Sequence, residues 1–205
     1  RAFVSAYLVA YRAVKESYPE VSVLVTFQYE HILRDLGREK HLSEHGAVSA
    51  FGESLDVVGL SVYPCLVYRQ TDGIPTDYLV RATTPGKPAA IFETAWPAPK
   101  TSESLQREYV SWILDQAQRN QLDPVVWTST VDTISAEETS TDRKSSGCDM
   151  PVAEWNKHLG LWRLDGGEKQ AARVWIRQLG NNRLINASMA EAREDPTLPR
   201  SKPGY

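Results

Sequence analysis

Four stretches of this chain share one design, and their spacing constrains the fold more than any other feature. Residues 21–30, 55–63, 88–94 and 124–128 are rich in β-branched and aromatic residues, are nearly continuous in apolar content, and turn polar at their C-terminal ends. Continuity of that kind marks strands buried on both faces, as in parallel sheets. Their starts, at positions 21, 55, 88 and 124, are separated by 34, 33 and 36 residues, which is room for one strand, one loop, one helix and a return loop. The helices that fit are a first one carrying Phe3, Tyr7, Ala10, Tyr11 and Val14, halted before Pro19, and segments near 47–53, 76–82, 103–120 and 168–179. The repeat is βα, so the fold class is α/β with helices packed outside a parallel sheet.

Two architectures accommodate such a repeat: an open doubly wound sheet, or part of a (β/α)8 TIM barrel. No Gly-rich turn of the dinucleotide or Walker type follows any of the strands, which removes the main support for the open sheet. Eight units at this spacing need about 280 residues, whereas the 205 residues hold four units and one preceding helix. The expectation is therefore the C-terminal half of a barrel over residues 1–180. Residues 181–205 would form an extended or mobile tail, since they are polar, contain three prolines and show no periodicity.

Composition narrows the partners. A net charge of −3, from 23 basic and 26 acidic residues, lacks the cationic excess that nucleic acid demands. No apolar run approaches the roughly 20 residues of a membrane span. Cys65 and Cys148 lack zinc-knuckle spacing and are expected as thiols rather than as a bridge, the four histidines are dispersed, and neither a metal set nor a cofactor motif is present.

In a barrel, chemistry sits at the C-terminal ends of the strands. Those ends carry Gln28 and Glu30, Ser61 and Tyr63, Glu93 with Trp96, and Trp127 with Asp132. Carboxylates among aromatic rings suit sugars, because rings stack on pyranose faces and carboxylates stabilise an oxocarbenium-like transition state. Each residue has a plain alternative. Trp96 and Trp127 could pack in the core, Tyr63 could be a core ring with a satisfied hydroxyl, and Glu30 could cap the helix that follows it.

The stretch Ile91-Phe92-Glu93-Thr94-Ala95-Trp96-Pro97 resembles the Glu-Thr-Gly-Trp-Pro signature after the seventh strand of clan A glycoside hydrolases, notably families 17 and 53. Asp56 to Pro64 is similar to their sixth strand, Trp127 falls where their eighth strand presents a sugar-stacking aromatic, and Gly160-Leu161-Trp162-Arg163-Leu164-Asp165-Gly166 with Lys169 and Trp175 resembles the turn into their last helix. The resemblance implies a retaining hydrolase of β-linked glycans, extracellular or periplasmic. It makes Glu93 the nucleophile, Tyr63 the phenol that orients it, and Trp127, Trp96, Gln28, Glu30 and Asp132 the residues that bind substrate. Ala95 replaces the signature's glycine, and the family's Asn-Glu acid/base pair has no counterpart in this chain. The missing N-terminal half of the barrel is therefore the expected partner and the source of the acid. Two rival readings stay open, a carbohydrate-binding barrel without acid/base chemistry and an unrelated barrel acting on phosphorylated metabolites.

Overall fold

The computed structural model describes residues 2–35, 42–83, 87–99, 102–133, 154–155, 157–178 and 180. Its centre is a four-stranded sheet, β1 (Leu24–Gln28), β2 (Val57–Val62), β3 (Ala89–Thr94) and β4 (Val125–Trp127), ordered β1-β2-β3-β4. Every neighbouring pair runs parallel. The strands thus sit side by side in sequence order, with all their C-terminal ends on one rim, as the βα repeat requires.

One face of this sheet is covered by helices. The first helix, α1 (Ala2–Ser17), lays Tyr7 against Phe51 at 5.0 Å between ring centroids, and Phe51 in turn meets Phe27 of β1 at 5.7 Å. Its polar end is pinned to the start of β2. Asp56 accepts from Tyr11 Oη at 2.9 Å and pairs with Lys15 Nζ at 2.8 Å. After β1 the chain turns directly into α2 (Tyr29–Asp35), and a short α3 (Gly46–Ser49) precedes β2. The long helix α4 (Glu103–Arg119) buries Gln106, Tyr109, Val110, Ile113, Gln116 and Ala117, which recur at three and four residues along one stripe. A fully buried side chain such as Ile113 contributes about 1.5–3 kcal/mol. The last described residues, 170–178 and 180, are helical.

Among the described residues, the other face is left open. Thr26, Gln28, Glu93, Val126 and Thr128 are exposed there, alternating with buried Phe27, Thr94 and Trp127. Gly59 keeps the strands close, because a Cβ at that position would stand 2.9 Å from the carbonyl oxygen of Val25.

Three expectations change in detail. The first strand ends at Gln28, and Tyr29 and Glu30 begin α2, a helix the apolar run had concealed. Its signal was the spacing of Tyr29, Ile32 and Leu33. The segment near 76–82 forms turns and a 3-10 helix at Val80–Ala82, and the one near 47–53 divides into α3 and a 3-10 turn at Gly52–Ser54. The tail, residues 181–205, and Cys148 lie outside the described residues. Cys65 is buried, with Sγ 3.9 Å from the carbonyl oxygen of Ala95. No helix among the described residues is long and apolar enough to cross a membrane.

Candidate active site

The register of the sheet aligns three candidates in a row. Gln28 pairs with Ser61, and Ser61 pairs with Glu93. The second pairing depends on an irregularity in β3. Leu60 is opposite Ile91, but the next residue, Ser61, is opposite Glu93, so Phe92 is skipped. The β3–β4 pairing shows the same slip, with Ile91 opposite Val125 and Thr94 opposite Trp127. In an uninterrupted strand Phe92 would take the open face and Glu93 the helix face. The extra residue re-aims the carboxylate outward, a recurrent use of bulges beside functional sites.

Glu93 is exposed on that face, and Ser61 Oγ donates to its Oε2 at 2.8 Å. Tyr63 stands two residues beyond Ser61 and is half-buried. Its hydroxyl meets Thr128 Oγ1 at 2.7 Å, and Thr128 Oγ1 in turn donates to the carbonyl oxygen of Thr94 at 3.1 Å. A threonine hydroxyl has one proton, so Tyr63 is the donor in the first bond. Burial pushes the Tyr63 phenol above its usual pKa; the bond to Thr128 opposes this and the charges of Glu93 and Glu30 add to it. The side chain bonded to Glu93 is Ser61, while the phenol is bonded to Thr128.

Glu30, at the start of α2, is enclosed by donors. Its Oε1 accepts from the Tyr63 backbone N–H at 2.8 Å and from Tyr78 Oη at 2.7 Å, and its Oε2 accepts from Gln28 Nε2 at 2.7 Å. Burial raises the pKa of its carboxyl against the pull of these hydrogen bonds, and burial with the Glu30 charge raises that of Tyr78. Gln28 and Glu30 thus reach the same rim as Glu93, but as partners of each other.

Three other candidates lie elsewhere. Trp127 is 9% exposed, donates its indole N–H to the carbonyl oxygen of Leu159 at 2.8 Å, and meets Tyr109 of α4 and Trp175 at 6.1 and 5.8 Å. Trp96 is 2% exposed and packs on Tyr109 at 5.1 Å. Both rings belong to the layer between sheet and helices, the arrangement the packing alternative describes. The cause is parity: Trp127 pairs with Thr94, whose hydroxyl meets Tyr109 Oη, on the side away from Glu93. Asp132 is held in an ion pair at the edge of a different cavity. Its Oδ1 binds Lys169 Nζ at 2.7 Å and the Gly160 N–H at 2.9 Å, and Lys169 is 1% exposed. Gly160 has no room for a side chain, because a Cβ would lie 2.1 Å from the Asp132 nitrogen. This ion pair and the two-pronged bond from Arg163 to Glu103, at 2.8 and 2.9 Å, fasten the turn at 160–169 to the rim. A cavity of about 620 Å³ lies beside these pairs, and Glu93 does not border it.

From the sequence Ser61 stands at a strand end without an assigned role, and Thr128 and Tyr78 are not among the candidates. The alternation Gly59, Ser61, Tyr63 was the available signal for Ser61, since period-two spacing puts small and polar groups on one face. Nothing in sequence order links Tyr78 to Glu30.

No protein-family model and no curated protein matches this sequence. Solved structures share the fold. A family 17 glycoside hydrolase, the β-1,3-glucanosyltransferase of Rhizomucor miehei, superposes with a TM-score of 0.53 at 18% identity, over 82% of this chain and 56% of its own. An active-site mutant of that enzyme in complex with laminaritriose gives 0.51 at 15% identity. The exo-β-1,4-mannosidase Op5Man5 of Opitutaceae bacterium strain TAV5 gives 0.55 at 14% identity, over 91% of this chain and 32% of its own. The chain therefore spans about half or a third of the length of these proteins. At such identities the likeness establishes the fold alone, four consecutive parallel strands with the architecture of part of a (β/α)8 barrel.

Proposed function

We propose that these residues form the C-terminal half of a (β/α)8 glycoside hydrolase that cleaves β-linked glycans with retention of configuration, and that Glu93 is its nucleophile. The observation that carries this reading is the bulge in β3, which turns Glu93 out of the helix-covered layer and onto the open face. The β-glycan chemistry named for the solved neighbours supports the substrate class.

A nucleophilic carboxylate must stay ionised, and a hydroxyl donated to it favours that state. Ser61 supplies the hydroxyl at Oε2, and Oε1 receives no hydrogen bond from the described residues, so it is the oxygen open to attack. In the reaction Oε1 bonds to the anomeric carbon as the bond to the leaving oxygen breaks. An acid carboxylate about 5 Å away protonates that oxygen and then takes a proton from the water that releases the sugar. The acid would come from the other half of the barrel, which would also cover the open face and pair the edges of β1 and β4 that no other described strand pairs.

The test is hydrolysis of an activated aryl β-glycoside by the whole protein, with and without azide. Such a substrate needs little acid assistance, so a variant lacking the acid should be rescued as the β-glycosyl azide. Glu93→Gln should give no product of retained configuration and lose several orders of magnitude in turnover. Near-normal turnover in Glu93→Gln would remove Glu93 from the mechanism.

A further inference from the structure

The end of β2 poses an accounting problem. β1 stops at Gln28, opposite Ser61, because the chain turns into α2 at Tyr29. Tyr63 therefore lies beyond the ladder, and Pro64 disfavours a helical conformation in the residue before it. Its backbone, at φ −132° and ψ 70°, belongs to neither element. A half-buried N–H in that place needs an acceptor. Glu30 Oε1 provides it at 2.8 Å, from the position where β1 would have continued.

We infer that Glu30 is a positioning residue for Tyr63: its carboxylate replaces the absent strand partner and fixes the phenol beside Thr128, at the rim that carries Glu93. Glu30 is itself held rigidly. Tyr78 donates to the same oxygen, Gln28 to the other, and the Tyr78 ring is wedged between Tyr29 at 5.4 Å and Tyr68 at 5.9 Å. With three donors already on it, the carboxylate is poorly placed to serve a sugar hydroxyl, the role the resemblance implied. Through the Tyr63 backbone it fixes a phenol whose hydroxyl is bonded to Thr128 on the neighbouring edge of the site.

The experiment has two arms on the whole protein, with Glu30→Ala and Glu30→Gln compared. Amide hydrogen exchange is independent of any glycosidase activity. Glu30→Ala should accelerate exchange of the Tyr63 N–H at least about tenfold, as expected for a hydrogen bond to a charged group, while Leu60 and Val62 keep their rates. Glu30→Gln retains an acceptor oxygen and should keep the Tyr63 amide protected. Unchanged Tyr63 exchange in Glu30→Ala would overturn the inference, and so would equal acceleration at Leu60 and Val62, which would mark Glu30 as a general structural residue. The kinetic arm rests on the proposed hydrolase reading. There Glu30→Ala should lower kcat by about 2- to 10-fold through displacement of the phenol, no more than loss of the hydroxyl itself, leave KM nearly unchanged, and be largely restored in Glu30→Gln. A raised KM with kcat retained would show a sugar ligand instead and overturn the inference. Absence of glycosidase activity in the unaltered protein would refute the hydrolase reading, and the exchange arm would then decide the role of Glu30 by itself.

Discussion

Glu93 and Trp127 stand at the same end of adjacent strands, yet they occupy opposite faces of the sheet. Glu93 is exposed beside Ser61, while Trp127 is enclosed by Tyr109 and Trp175 with its indole N–H bonded to Leu159. Position along a strand decides whether a residue reaches the rim. Parity decides whether it then takes the open face or supports the wall behind it. The open face carries Gln28, Glu93 and Thr128 exposed beside Ser61, the site of the proposed chemistry, and the helix-covered face packs Thr94, Trp96 and Trp127. Substitutions on the two faces should therefore separate cleanly into losses of turnover and losses of folding free energy.

The largest expected effect lies on the open face. Glu93→Gln should remove several orders of magnitude of turnover while shifting the denaturant midpoint of unfolding by less than about 0.5 kcal/mol, as for other exposed positions. Trp127→Ala should invert that pattern. Removing the ring leaves a void and an unsatisfied Leu159 carbonyl, at a cost of about 3–5 kcal/mol in chemical denaturation. A Trp127→Ala protein that melts normally but no longer binds glycan would restore the stacking role and dissolve the contrast between the faces.

Asp132→Ala tests the rim of the wall. It leaves the Lys169 ammonium, 1% exposed, without its carboxylate, so a loss of about 3–5 kcal/mol is expected. Lys169→Met combined with Asp132→Ala should recover much of that loss, because the penalty arises from a buried unpaired charge and not from the absence of the pair. Unfolding curves of the single and double variants decide it. Little destabilisation in Asp132→Ala would show that the carboxylate is free for another task, including substrate binding.

How far the sequence revealed this arrangement follows from the same contrast. The parallel sheet and its strand order were legible because buried strands at regular spacing are a pattern of local composition, and α4 was legible because Tyr109, Val110, Ile113 and Ala117 keep a single stripe. Parity at the strand ends was not legible. One skipped residue in β3 exchanges the faces of Phe92 and Glu93, and no feature of Ile91-Phe92-Glu93-Thr94 announces it. The partners of Glu30 were hidden for a different reason: Tyr63 and Tyr78 lie 33 and 48 residues away in the chain. Gln28 was visible at once, being two residues away, but its engagement with Glu30 rather than with a ligand required the turn into α2.

The two smallest effects concern which hydroxyl orients Glu93, and comparing them sharpens the open face. Ser61 Oγ donates directly to the carboxylate, a bond to a charged acceptor worth about 1.5–3 kcal/mol, so Ser61→Ala should lower kcat by about 10- to 100-fold. Tyr63 commits its proton to Thr128, a neutral acceptor, and the bond is worth about 0.5–1.5 kcal/mol. Tyr63→Phe should therefore lower kcat by about 2- to 10-fold, less than Ser61→Ala, with KM little changed. The measurement is kcat for both variants of the whole protein on one aryl β-glycoside. If Tyr63→Phe proves the more damaging, the phenol leaves Thr128 and turns to Glu93 once substrate is bound, as the family resemblance implies. Ser61 would then be a bystander that holds the empty carboxylate in place between turnovers.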